Sequence, residues 1–129
     1  METEGLLRAV LIEDHELYRH ELSLSLKRIG ISVLEEVSNN VDIIEMIRVQ
    51  CPDIVFMGLN IPIGIGNENL TLIKEYYPKT MVIMLGMYKE VSIAKAVKKI
   101  GADGYAVKDF NIEDMKQCIR QVFSQTNFC

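Results

Sequence analysis

A chain of 129 residues, 25% charged and 49% hydrophobic, reads as one globular domain that buries roughly two-thirds of its unfolded surface. Its net charge of −4 argues against nucleic-acid binding by this domain alone. No apolar run approaches the ~20 residues of a membrane span, and METEGLLRA lacks the basic-then-apolar order of a signal peptide.

Arg8 to Ile12 is a short apolar strand running straight into Glu13-Asp14. His15 to Ile29 is read as a helix ended by Gly30, although Leu22, Leu24 and Leu26 alternate with serines in a strand-like way. Ile31 to Val37 is a second strand. Val41, Ile44 and Ile47 then give one helical face behind Asn39-Asn40, which are good capping residues. Ile54-Val55-Phe56-Met57 is an unbroken apolar run, the signature of a strand buried on both faces. It ends in Gly58, and Asn60 and Pro62 stop the ladder, because proline has no N–H to donate.

Ile63 to Gly66 reads as a permissive loop, and Asn67 to Tyr77 as a third helix stopped by Pro78. Met81 to Leu85 is the fourth strand, also ending in a glycine, Gly86. Ile93, Ala96, Val97 and Ile100 fit the inner face of a fourth helix, with Lys95, Lys98 and Lys99 as a solvated outer face and Gly101 as its C-cap. Gly104 to Val107 is the fifth strand, followed by Lys108-Asp109. The last helix starts at the N-cap Asn111, with Asp114 three residues on, and buries Met115, Ile119 and Val122.

Five alternations of strand and helix with short connections predict an α/β fold, a parallel sheet with helices on both faces. Ligands of such sheets sit beyond the carboxyl ends of the strands, where the strand order reverses. Those ends carry Glu13-Asp14, Gly58, Gly86 and Lys108. The cysteines, Cys51, Cys118 and Cys129, are odd in number and lack metal-type spacing. They read as buried or incidental thiols in a reducing cytoplasm, Cys129 being the exposed one.

LIEDHELYR, PDIVFMGLNIP, EYYPKTMVIMLGMYKE and GADGYAVKDF resemble, in order and spacing, the motifs of bacterial response-regulator receiver domains. The resemblance is closest to the subfamily whose receiver precedes a LuxR-type helix-turn-helix domain. It implies a flavodoxin-like (βα)5 fold with a doubly wound five-stranded sheet of order 2-1-3-4-5. In that family an acidic pair holds Mg²⁺, an aspartate accepts a phosphoryl group, a hydroxyl holds the phosphate and a lysine neutralises charge. Here Glu13 and Asp14 match the acidic pair, Lys108 the lysine, Tyr105 the switch aromatic, and Asn60 the residue whose backbone carbonyl contacts the metal.

Gly58 stands at the phosphoacceptor position and Gly86 at that of the hydroxyl, so position 58 offers no nucleophile for in-line phosphoryl transfer. Ile65 stands where the family often has an aspartate. The resemblance therefore implies a pseudo-receiver: residues 1–129 as a single domain, the N-terminal part of a longer transcription regulator. It is not an enzyme, is cytoplasmic, and works by protein–protein interaction without phosphorylation. Its partners are a sensor kinase or another signalling protein, or a second copy; there is no membrane, and DNA is reached only through an output domain outside this chain.

No cofactor is required on this reading. A weakened Mg²⁺ site remains with Glu13, Asp14 and the Asn60 carbonyl, since Mg²⁺ commonly uses one or two carboxylates and keeps waters. Losing a third carboxylate lets Lys108 pair with Asp14 as a structural ion pair. With both switch elements altered, a single dominant conformation is expected.

Blander readings stand beside these. Glu13-Asp14 is also a plain solvated turn, Lys108-Asp109 a strand-end charge pair, His15 an exposed first-turn residue, and Tyr105 core packing. Lys95, Lys98 and Lys99 with the fifth strand give a docking surface as the functional option. Three alternatives stay open: a receiver using Asp14 or Glu13 as substitute acceptor, an engineered acceptor-null receiver, and a flavodoxin-like cofactor binder. Against the last, EDHELY is acidic where a flavin phosphate needs hydroxyl or backbone N–H groups.

Overall fold

The computed structural model describes residues 7–38, 42–59, 65–87, 89, 91–108 and 111–124, with 65–67 described by backbone alone. Strands and helices alternate as β1 (Arg8–Ile12), α1 (Glu16–Arg28), β2 (Ser32–Val37), α2 (Ile43–Gln50), β3 (Ile54–Gly58), α3 (Ile65–Tyr76), β4 (Met81–Gly86), α4 (Val91–Ile100), β5 (Gly104–Val107) and α5 (Ile112–Phe123). Every strand pair is parallel, in the order β2-β1-β3-β4-β5. This is the doubly wound, flavodoxin-like sheet that the alternation and the resemblance imply.

Side-chain alternation along the strands divides the core in two. Ala9, Leu11, Ile54, Phe56, Ile83, Leu85 and Ala106 face α1 and α5, where Leu22, Leu26, Met115, Ile119 and Val122 meet them. Val10, Ile12, Val55, Met57, Val82, Met84 and Tyr105 face the other way, onto Ile43, Ile47, Leu70, Ile73 and Val97 of α2, α3 and α4. All five positions of β3 are buried, as its unbroken apolar run requires. Each large apolar side chain fully buried in this way contributes roughly 1.5–3 kcal/mol.

The leucine–serine patch is helical. Leu22, Ser23 and Leu26 are buried on α1, while Leu24 is 40% exposed. Gly30, at φ +91°, lets the chain reverse after α1, and the Ile31 N–H returns to the Leu26 carbonyl. Gly101, at φ +131°, does the same for α4, with Ala102 N–H donating to the Val97 carbonyl. Asn111 caps α5 as expected, its side chain accepting from Asp114 N–H at 2.9 Å.

Two aspartates tie down the opposite end of the sheet from the strand carboxyl ends. Asp53 Oδ2 accepts from Arg8 N–H and Asp103 Oδ2 from Val82 N–H, both at 2.8 Å. Lys74 joins the second knot, reaching Asp103 at 2.8 Å, the Thr80 carbonyl at 2.9 Å and the Pro78 carbonyl at 3.2 Å. Arg8 also caps α2 from outside, donating to the Gln50 and Cys51 carbonyls.

Some boundaries differ from the sequence reading. The second strand begins at Ser32, one residue after Ile31. The third helix begins at Ile65, because its backbone is already helical where the glycines suggested a loop, and it ends at Tyr76. The second helix is capped by Asp42, whose carboxylate accepts from Glu45 N–H. Asn39, Asn40 and Val41 lie outside the described residues, as do Asn60 and Pro62. Cys118 is disulfide-bonded and Cys51 free, a correction to the reading of three thiols that spacing along the chain does not reveal. Among the described residues no helix is long and apolar enough to cross a membrane.

Candidate functional site

The strand order reverses between β1 and β3, so the carboxyl ends of these strands flank the crevice where such sheets bind. Alternation places the residues there. Position 13 continues the parity of Ala9 and Leu11, position 58 that of Ile54 and Phe56, and position 108 that of Ala106. Glu13, Gly58 and Lys108 therefore converge on the α1–α5 side of the sheet. Asp14 falls on the opposite parity and is exposed.

Glu13 is 3% exposed. Its N–H extends the sheet to the Val37 carbonyl at 2.9 Å, and its carbonyl accepts from Arg19 Nη1 at 2.7 Å. Its carboxylate is held twice: Oε2 accepts from His15 N–H at 2.8 Å, and Lys108 Nζ stands 2.8 Å from Oε1 as an ion pair. The partner of Lys108 is thus Glu13 rather than the Asp14 that the sequence suggested. The reason is parity, because Glu13 and Lys108 share a face.

Lys108 is fixed from three directions. Its backbone N–H donates to the Gly86 carbonyl at 2.8 Å, its ammonium meets Glu13, and the same ammonium lies 5.3 Å from the centroid of the Tyr18 ring. Burial, and then the negative charge of Glu13, push the Tyr18 phenol well above the ordinary tyrosine range. Tyr18 and Arg19 were not singled out in the sequence. Their signal was position, one helical turn beyond the acidic pair and behind the N-cap His15, whose Nδ1 accepts from Tyr18 N–H. His15 is therefore a cap.

Gly58 faces this carboxylate directly. A Cβ built there would stand 3.0 Å from Glu13 Cδ and closer still to Oε1. The Glu13 carboxylate thus occupies the space in which a side chain at position 58 would begin. Gly86 has an analogous neighbour on the other face of the sheet. A Cβ there would stand 2.7 Å from Tyr105 Cε1, 2.8 Å from Cζ and closer still to the hydroxyl. Tyr105 is 9% exposed and packs among Met84, Val97 and Ala102.

Glu13 is turned inward onto Lys108 and His15 N–H, and among the described residues no three His, Cys, Asp or Glu side chains cluster to hold a metal. Asn60 and Asp109 lie outside the described residues. Lys95, Lys98 and Lys99 are exposed on α4, beside Val91 at 66% exposure.

The family model for the response regulator receiver domain matches residues 9–120. Response regulator GacA of Pseudomonas aeruginosa is 29% identical over 121 residues, 92% of this chain and 56% of that protein. The chemotaxis protein CheY of Halobacterium salinarum is 30% identical over 117 residues, 91% of this chain and 97% of that one. The non-phosphorylated receiver domain of the stress response regulator RcsB from Escherichia coli superposes with a TM-score of 0.81 at 19% identity, covering 96% of this chain and 98% of that one. The chain thus spans about half the length of GacA and nearly all of CheY.

Proposed function

The chain belongs to the response-regulator receiver family, and from that premise we propose that it signals without being phosphorylated. Gly58 stands at the acceptor position and Gly86 at the hydroxyl position of that family. The observation that carries the proposal is the Glu13 carboxylate, which stands where an acceptor side chain would begin and is neutralised by Lys108. An unphosphorylated site of this kind carries its own counter-charge and needs neither phosphate nor Mg²⁺ to be satisfied. The domain then acts by binding protein: a sensor kinase or other signalling protein in the cytoplasm, or a second copy. On this reading it controls a DNA-binding output, attached to it or carried by a partner.

One observation favours a second reading. Of the two substitute acceptors, Glu13 is the one beside Gly58, so a phosphoryl group accepted from an acyl phosphate would go to its carboxylate oxygen. Against this, the carboxylate is 4% exposed and already paired.

Intact mass after incubation with Mg²⁺ and a small acyl phosphate separates the two. The expected result is no added phosphoryl on the parent chain and one on Gly58→Asp combined with Glu13→Ala, which clears the space an aspartate needs. A phosphoryl on the parent that disappears in Glu13→Gln overturns the proposal in favour of the substitute acceptor.

A further inference from the structure

We propose that Cys118 and Cys129 form a reversible thiol–disulfide clasp, through which a low-molecular-weight disulfide such as glutathione disulfide controls one flank of α5. The proposal goes beyond the phosphate-independent reading above and takes from it only the reducing compartment. The chain has three cysteines; Cys51 is a free thiol and Cys118 is disulfide-bonded, which leaves Cys129 as the partner. The fold excludes Cys51 as well, because α2, which it closes, packs on one face of the sheet and Cys118 on the other.

Cys118 belongs to the buried stripe of α5, with Met115, Ile119 and Val122, and is 5% exposed. The helix ends at Phe123, where the Ser124 N–H closes it on the Arg120 and Gln121 carbonyls. From Cys118 to Ser124 a helix rises only ~9 Å, whereas the residues from Ser124 to Cys129 reach as far as ~16 Å when extended. Cys129 can therefore come back to the ~5.5 Å Cα separation that a disulfide requires, and Asn127 suits the reversal. Helical spacing sets Asp114 and Gln121 beside Cys118. Ile112, Lys116 and Ile119, by contrast, line the cavities that α5 forms with α1. The clasp thus lies along the flank of α5 away from α1, on the side where the sheet ends with β5.

The bond is not what holds α5 on the sheet. Met115, Ile119 and Val122 already pack it against the same cluster as Phe56 and Leu85, and a reduced Cys118 stays in that stripe as a small apolar side chain. The loop it closes is short, so it restricts the unfolded chain less than a long-range crosslink does. In a reducing compartment such a bond is transient and redox-sensing rather than structural. Closure runs by two exchanges. The Cys129 thiolate attacks one sulfur of the small disulfide, whose S–S bond breaks and releases one thiol. The Cys118 thiolate then attacks the Cys129 sulfur of the mixed disulfide and expels the second thiol. The chain gives up two electrons and two protons, and the small disulfide leaves as two thiols. Excess reduced thiol reverses both steps, releasing Cys129 and uncovering the flank of α5.

The test equilibrates the 129-residue chain in glutathione buffers of rising oxidised fraction. Samples are quenched in acid, alkylated in denaturant and read by intact mass and peptide mapping. In reduced glutathione all three cysteines are expected to take the alkyl group. As the oxidised fraction rises, a peptide pair joining Cys118 to Cys129 appears in single chains, with Cys51 outside the crosslink. Amide exchange of Ser124 and the last turn of α5 slows about tenfold on closure. In Cys129→Ser, and in Cys118→Ala, which keeps an apolar side chain in the buried stripe, exchange is the same in both buffers. A bond that stays closed in reduced glutathione, a glutathione adduct that never closes, or a bridge between two chains overturns the proposal. So does closure that leaves exchange unchanged, or a variant whose exchange still responds to oxidation. Phosphorylation of the parent in the mass experiment would defeat the proposed function and leave the clasp standing.

Discussion

The Lys108 ammonium stands 2.8 Å from Oε1 of Glu13, but the two partners differ in their access to water, the side chains being 21% and 4% exposed. The pair is therefore asymmetric. Removing the lysine strands a buried carboxylate, whereas removing the negative charge leaves a lysine that can turn to solvent. Lys108→Met is expected to destabilise the domain by about 3 kcal/mol. Glu13→Gln should cost less, since its amide oxygen still accepts from His15 N–H. Urea midpoints of the two variants give the comparison, and equal losses would contradict the asymmetry.

The strands were legible because three of the five, β1, β3 and β4, are apolar runs with two β-branched residues each, and Phe56 in the middle strand sits where such a run must sit. The choice between Glu13 and Asp14 was open to the same alternation, carried one residue past the ends of β1 and β5, which puts positions 13, 58 and 108 on one face. What no pattern could show is what fills the volume beside a glycine. In sequence, Gly58 and Gly86 are absences; in the fold they are occupied by Glu13 and Tyr105. Asp42, hidden behind two better-looking asparagines, was missed because capping depends on where the chain turns and not on residue type alone.

Tyr18 predicts an alkaline dependence. Burial and the charge of Glu13 raise its pKa in the folded chain, while the unfolded chain releases the same proton near pH 10. Above that pH the unfolded state binds fewer protons than the folded one, so this contribution, complete below pH ~10, declines as pH rises. Urea midpoints between about pH 9 and 11 should fall more steeply for the parent than for Tyr18→Phe. Parallel curves would show that Tyr18 is not the group responsible.

Asp103 serves as a backbone acceptor more than as a charge. Its Oδ2 receives both Val82 N–H and the Lys74 ammonium at 2.8 Å, and Val82 is fully buried. Asp103→Ala leaves that N–H without its acceptor and is expected to cost about 2 kcal/mol. Asp103→Asn keeps a carbonyl oxygen for Val82 and loses only the ion pair with Lys74, so its cost should be the smaller. Amide exchange of Val82 reads the difference directly: fast in the alanine variant, still protected in the asparagine one. Equal protection in both would move the role of Asp103 to its charge.

Cys51 is the one described residue other than glycine with a positive φ, at φ 49° and ψ 55°, where it closes α2 with its N–H on the Ile47 carbonyl. A left-handed residue after a helix is the position glycine usually takes, because a β-carbon there crowds the following carbonyl. The contacts that matter at this corner are made by backbone: Arg8 Nη1 donates to the Cys51 carbonyl at 2.7 Å, and the thiol adds only a 3.4 Å contact to the Arg48 carbonyl. Cys51→Gly removes the strain and keeps the Arg8 contact, but it also loosens the unfolded chain, so the net gain should be about 0.5 kcal/mol. Cys51→Val keeps a β-carbon and adds branching in the same conformation, and should lose about 1 kcal/mol or more. Thermal midpoints of the three chains under one buffer order them glycine, cysteine, valine. A valine variant as stable as the parent would mean that the corner relaxes out of the left-handed region at no cost.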